Sequence, residues 1–247
     1  MTFHRPVLLR EVMEILNPQP GEKYIDAISS WWVNTHGHTH PYIAKKISEQ
    51  LKKLEHVMFA GFTHPKAVEL AERLLKLLPA NQKKIFYSDD GSTAVEVGLK
   101  MALQFWYNKH LAVPDKKNKT TILTLEGAYH GDTFGAMSVS GRGIFTKPFS
   151  PLLFEVIHIE KTISHLHNQL LRNKNKIAAF IYEPLVQGAA GMKIYEMEIL
   201  NEMIYLCKKN NILTIADEVM TGFGRTGKMF ATEYLSEKPD IICLSKG

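Results

Sequence analysis

Cysteine is almost missing from this chain. Among 247 residues only Cys207 and Cys243 carry a thiol, each inside an apolar-patterned segment. That usage points to reduced, buried thiols in a cytoplasmic setting and leaves neither as a candidate nucleophile. No apolar stretch approaches the ~20 residues that a membrane span needs, and the amino terminus has no signal-peptide pattern, so no membrane partner is expected. Internal repeats, low-complexity tracts and linkers are missing too, and nothing splits the body into two domains. Nor is charge concentrated. The net charge of +5 comes from lysines spread over helix-like segments. The densest run, Lys116-Lys117-Asn118-Lys119, follows Pro114-Asp115 as a turn would. Nucleic acid is therefore not an expected partner.

What the chain does have is a regular alternation of helical and strand-like periods, the mark of βαβ units. Ile43, Ile47, Leu51 and Leu54 recur at helical spacing, as do Val68, Ala71, Leu75 and Leu78 before Pro79. Ile85-Phe86-Tyr87 reads as a short strand, followed by a long helix over 93–107 and a strand over 121–125. A strand over 154–158, a polar helix over 162–174 and a strand over 177–182 come next. A helix over 196–209 leads into the apolar run 212–216, and a last run spans 241–245. The expected fold class is α/β, a mostly parallel sheet flanked by helices.

Two of these runs end in chemistry. The run from Ile212 ends in Asp217, and the run from Ile241 ends, 29 positions further on, in Lys246. An acid and an amine at the carboxyl ends of two parallel strands open onto the crevice where such sheets bind ligands. Pyridoxal 5'-phosphate needs such a pair, an amine for its aldehyde and a carboxylate to keep its ring nitrogen protonated. In Ser88-Asp89-Asp90-Gly91-Ser92-Thr93, a glycine and free amides at a helix start suit a phosphate; the segment alone favours a plain helix cap, and the company of Asp217 and Lys246 turns the reading to a phosphate site. Tyr129, in a Gly-rich turn after the 121–125 strand, offers an aromatic face to a planar ring; half-burial in that turn is its other reading. Glu183, ending the 177–182 strand before Pro184, is a third acid at the same edge, suited to a cofactor contact or to loop amides. His36, His38 and His40 resemble zinc ligands in type, but no cysteine is near them and no metal is expected. Trp31 and Trp32 read first as core aromatics, although they lie in irregular chain, where binding residues concentrate. The glycines of 222–227 lack the lysine of a nucleotide loop.

From about residue 28 onward the chain resembles the class III, fold-type I aminotransferases. The segments 88–93, 128–133, 216–219 with 221–227, and 245–247 carry that likeness. Those at 29–32, 36–41, 56–64 and 183–192 narrow it to the branch that aminates 8-amino-7-oxononanoate with S-adenosylmethionine in biotin biosynthesis. The resemblance implies that Lys246 is the Schiff-base lysine and proton shuttle, and that Asp217 pairs with the pyridinium nitrogen. It implies that Gly91 and Ser92 hold the phosphate, that Tyr129 stacks on the ring and lines the substrate site, and that Trp31 contacts the keto substrate. It also implies a homodimer. Another class III omega-aminotransferase is the alternative reading. Asp90 departs from the pattern, standing where a small serine is usual, and places a like charge near the phosphate.

Both ends depart further. The family continues past the lysine into further strands and a small carboxyl-terminal domain, so residues 28–247 are expected to form an incomplete large domain, weakly active or inactive. Residues 1–27 resemble instead the amino terminus of a ribosomal RNA cytosine-N4 methyltransferase. That likeness fails beyond residue 27, where Ile28-Ser29-Ser30-Trp31 replaces the glycine-rich loop required for S-adenosylmethionine. A methyltransferase or an inactive fusion is therefore the remote alternative.

Overall fold

The computed structural model describes residues 17, 19, 21, 23, 25–112 and 119–247. Most of residues 1–27, and residues 114–118 of the turn expected at 114–119, lie outside the described residues.

Five strands form one parallel sheet in the order β2-β1-β3-β6-β7: β1 (Thr121–Leu125), β2 (Val156–Ile159), β3 (Ile177–Tyr182), β6 (Leu213–Asp217) and β7 (Ile241–Cys243). The expected parallel α/β sheet is thus observed. A two-residue hairpin, β4 (Val186–Gln187) with β5 (Lys193–Ile194), projects from the end of β3. Strand β3 is buried along its whole length, which is why its six residues are all apolar or aromatic rather than alternating with polar ones. Its side chains still divide by face. Phe180 and Tyr182 join Leu166, Leu170, Leu200 and Met203 in one core; these come from α5 (Ile163–Asn173) and α6 (Met197–Lys209). Ala179 and Ile181 join Val95, Leu99 and Ala136 in the other, from α3 (Gly91–Ala112) and α4 (Phe134–Val139). The result is a three-layer sandwich with a core on each side of the sheet.

The chain runs from β1 outward to β2, then crosses back to β3 on the other side of β1 before stepping on to β6 and β7. The direction reverses between β1 and β3, and connections leaving their carboxyl ends part there. Such a reversal opens a crevice above the sheet. It governs the position of everything described below.

The segment 85–87 is not a strand. It pairs with no strand among the described residues; Phe86 is 65% exposed, and the Tyr87 hydroxyl donates to the Ala67 carbonyl of α2 (Pro65–Leu77) at 2.6 Å. It packs on a helix instead of joining a ladder. The last run is also shorter than its apolar pattern: β7 ends at Cys243, and Lys246 follows with a left-handed backbone, φ 55°. The leading helix α1 (Pro41–Leu51) carries Ile43, Ile47 and Leu51 at the spacing read from the sequence, but it ends before Leu54.

Candidate active site

Four strand ends feed one cavity of about 320 Å³. The loop after β1 contributes Tyr129 and His130, the end of β3 Glu183, the end of β6 Asp217, and the turn after β7 Lys246. The start of α3 adds Asp90, Gly91 and Ser92, and the residues near position 30 add Trp31 and Trp32. Every residue singled out in the sequence as a site residue lines this one space. The carboxylate at 217 and the amine at 246 face a common cavity from neighbouring strands, since Asp217 is paired with Cys243 in the sheet register.

Asp217 is 4% exposed, and its carboxylate is held from two sides. Oδ1 accepts from the Val219 amide at 3.0 Å, and Oδ2 accepts from Nδ1 of His130 at 2.6 Å. His130 is itself buried; its amide donates to the Ser140 hydroxyl at 2.8 Å. The imidazole fixes the plane of the carboxylate while leaving lone pairs that can accept a further donor from the cavity. Sequence reading missed His130, because its partner lies 87 residues away. Its only early signal was the place beside Tyr129.

Lys246 is half-buried, and burial holds its amine below the usual lysine range; Asp217 opposes that shift and Arg225 adds to it. Its Nζ lies 5.1 Å from the centre of the Trp32 ring. Burial pushes the ionisation of Tyr129 well above the usual tyrosine range, helped by the hydrogen bond its hydroxyl donates to Asp132 at 2.8 Å. Glu183 is 5% exposed and accepts from the Tyr129 amide at 3.3 Å, so it does satisfy a loop amide while also lining the cavity. Burial raises its carboxyl to about 7, with His130 pulling the other way.

At the head of α3, Asp90 is the helix cap. Its Oδ1 accepts from the Thr93 amide at 2.8 Å, and the Thr93 hydroxyl accepts from the Asp90 amide at 2.9 Å. This leaves Gly91 and Ser92 in the first turn, where amides have no acceptor within the helix. A Cβ on Gly91 would stand 2.6 Å from Cγ1 of Val219. Glycine is what lets the helix start close against the β6 loop.

The tryptophans sit in a turn of unusual hand. Ser29, Ser30, Trp31 and Trp32 all have φ between 49° and 69°. Arg225 ties this turn to the β6 loop: its Nη2 donates to the Trp32 carbonyl at 2.5 Å and its Nε to the Met220 carbonyl at 2.8 Å. Arg225 was invisible in the sequence as a site element. The adjoining Glu218 is fully buried and accepts from the amides of Ala231 and Thr232 and from the Thr221 hydroxyl, which pins the same loop to the body.

The three histidines do not gather. His38 Nε2 meets Asp26 Oδ2 at 2.9 Å, while His36 and His40 meet edge to face. Among the described residues no group of three possible ligands could hold a metal ion. Both cysteines are buried and free, and burial pushes their thiols up, out of reactive range. Among the described residues no helix is long and apolar enough to cross a membrane.

A parallel sheet whose strand ends bring an amine and a buried acid to one cavity defines a class, and comparison with known proteins specifies it. The family model described as aminotransferase class-III matches residues 7–247, and the chain belongs to that family. The match begins inside the methyltransferase-like segment. The chain is 47% identical over 241 residues to the adenosylmethionine-8-amino-7-oxononanoate aminotransferase of Synechococcus elongatus, covering 92% of this chain and 55% of that protein. The crystal structure of the enzyme of the same name from Methanocaldococcus jannaschii superposes with a TM-score of 0.85 at 37% identity, covering 92% of this chain and 53% of that one. An amine transaminase from an uncultivated Pseudomonas species, in its PLP-bound form, superposes with a TM-score of 0.83 at 32% identity, covering 90% and 54%. The fold is that of these transaminases, and the chain spans about half the length of the relatives it matches.

Proposed function

We propose that this site belongs to a pyridoxal 5'-phosphate-dependent aminotransferase that converts 8-amino-7-oxononanoate to 7,8-diaminononanoate with S-adenosylmethionine as amino donor. The observation that carries the reading is the pair Lys246 and Asp217 lining one cavity, with His130 bracing the acid. The residues present fit the cofactor. A cavity of about 320 Å³ is in the range of small-ligand sites, and its donor set comprises an amine, a buried carboxylate and first-turn helix amides. When bound, pyridoxal phosphate supplies an aldehyde and an electron-withdrawing ring.

The chain's own groups divide the work. Lys246, its amine held below the usual range by burial, holds more of the neutral form needed both to attack a carbonyl and to take up a proton at Nζ. Asp217 would keep a proton on the ring nitrogen, with His130 holding Asp217 in plane. The Gly91 and Ser92 amides would hold the phosphate at the positive end of α3. Tyr129 would stack on the ring and Trp31 would contact the keto substrate, while Glu183 accepts from the Tyr129 amide and so holds that loop. The partners are these small molecules and a second copy of the chain.

Incubation with pyridoxal phosphate, borohydride reduction and peptide mapping is expected to label Lys246 alone, and Lys246→Ala to remove the label. Label elsewhere, or none on the parent chain, overturns the proposal. A second reading, a class III transaminase acting on another amine, draws on the likeness to the Pseudomonas amine transaminase. A panel of amino donors, read as transfer to 8-amino-7-oxononanoate, separates the two.

A further inference from the structure

One wall of the cavity has no part in the chemistry above. Met220 stands three residues past Asp217, is 9% exposed, and lines the cavity beside Gly188 and Trp32. These three residues converge on one point. A Cβ placed on Gly188 would lie 2.9 Å from the Met220 methyl, 3.5 Å from its Cγ and 3.5 Å from Cη2 of Trp32. The same indole has the Lys246 amine 5.1 Å from its ring centre. Trp32 therefore has the Lys246 amine over its ring and the apolar corner of Met220 and Gly188 at its Cη2 edge. Arg225 binds the carbonyls of both Trp32 and Met220, so the two sides of the corner are fixed to each other.

We infer that Met220 sets how long an aliphatic chain the cavity admits beyond the Lys246 amine, with the missing side chain of Gly188 giving the methionine the room it occupies. The inference rests on the aminotransferase reading for the place of the reacting carbon. A carbon chain attached there extends along the indole and ends against a thioether, a flexible, polarisable stop. Each methylene that reaches the corner without clash gains about fourfold in affinity. The first one too many loses it.

Straight-chain primary amines of increasing length, titrated calorimetrically into the protein with and without pyridoxal phosphate, test this. Affinity is expected to climb with length and then break. Met220→Ala is expected to move the break to longer chains by about two methylenes, roughly a fifteenfold change in the ratio of long-chain to short-chain affinity. Met220→Leu, of similar volume, keeps the parent profile. Gly188→Ala, whose new Cβ forces the methionine into the cavity, moves the break to shorter chains, and the double variant Gly188→Ala/Met220→Ala restores longer ones. A change in fold alone would lower all affinities together and would not shift the break. The same break in the parent and all four variants, or no break in the parent, overturns the inference. Failure of pyridoxal phosphate to label Lys246 overturns the functional reading instead, and the cofactor-free series then decides on Met220 alone.

Discussion

Glu183 shows how a single residue reports its surroundings. Its carboxyl, ordinarily near 4.5, is raised to about 7, first by burial and then, against the pull of His130, by the charge of Asp217. Between those two values the folded chain binds more protons than the unfolded one. Stability contributed by the neutral acid is therefore present at low pH and falls as pH rises through this window, by at most roughly 3 kcal/mol. Glu183→Gln is expected to flatten the fall. Denaturant unfolding at pH 5 and at pH 7.5 measures it: the parent loses stability between the two, and the variant loses markedly less. The residues that carry charge here were legible because acids and amines at strand ends are rare and local. Those that position them were not. His130 and Arg225 act on partners 87 and 193 residues away, and no periodicity encodes such a contact.

At the scale of elements, the start of α3 carries two duties in conflict. Asp90 caps the helix through Thr93, yet its charge stands at the mouth where a phosphate would bind. Serine retains a capping oxygen without the charge. Asp90→Ser is expected to change stability by less than about 0.5 kcal/mol while tightening pyridoxal phosphate by roughly fivefold, the order expected for removing one solvent-screened like charge; equilibrium titration of the cofactor checks both the direction and the size. Strand and helix boundaries were read best where burial is two-sided and long. The 121–125 and 177–182 runs match β1 and β3 end to end. The 85–87 run failed because an apolar triplet states burial, not the presence of a neighbouring strand. The β4–β5 hairpin and α4 were missed because elements of two or six residues contain too few turns of any period to register.

For the molecule as a whole, the apolar residues of α1 are left open by the described residues. Ile43, Ile47 and Leu51 recur every fourth residue on one face and are 39%, 55% and 57% exposed. A stripe of this kind marks an interaction surface, and a second copy of the chain is the proposed cover. Sedimentation velocity is expected to show a dimer that dissociates on Ile47→Glu, with the monomeric parent as the result that counts against it. Fold class was legible at this scale because alternating periods leave few topologies open. The cavity's contents were legible only through the strand-end rule, which says where ligands bind and not which side chains brace the binders.

The left-handed turn at 29–32 has a consequence for how the site comes together. Four successive residues with side chains in this region each cost ~1–2 kcal/mol, and the guanidinium of Arg225 is what fastens the turn to the sheet's loop. The aromatic wall is thus a sprung panel. Because Arg225 joins the Trp32 and Met220 carbonyls, loss of that latch is expected to loosen the wall and the 218–232 loop together, seen as joint loss of amide exchange protection in Arg225→Ala.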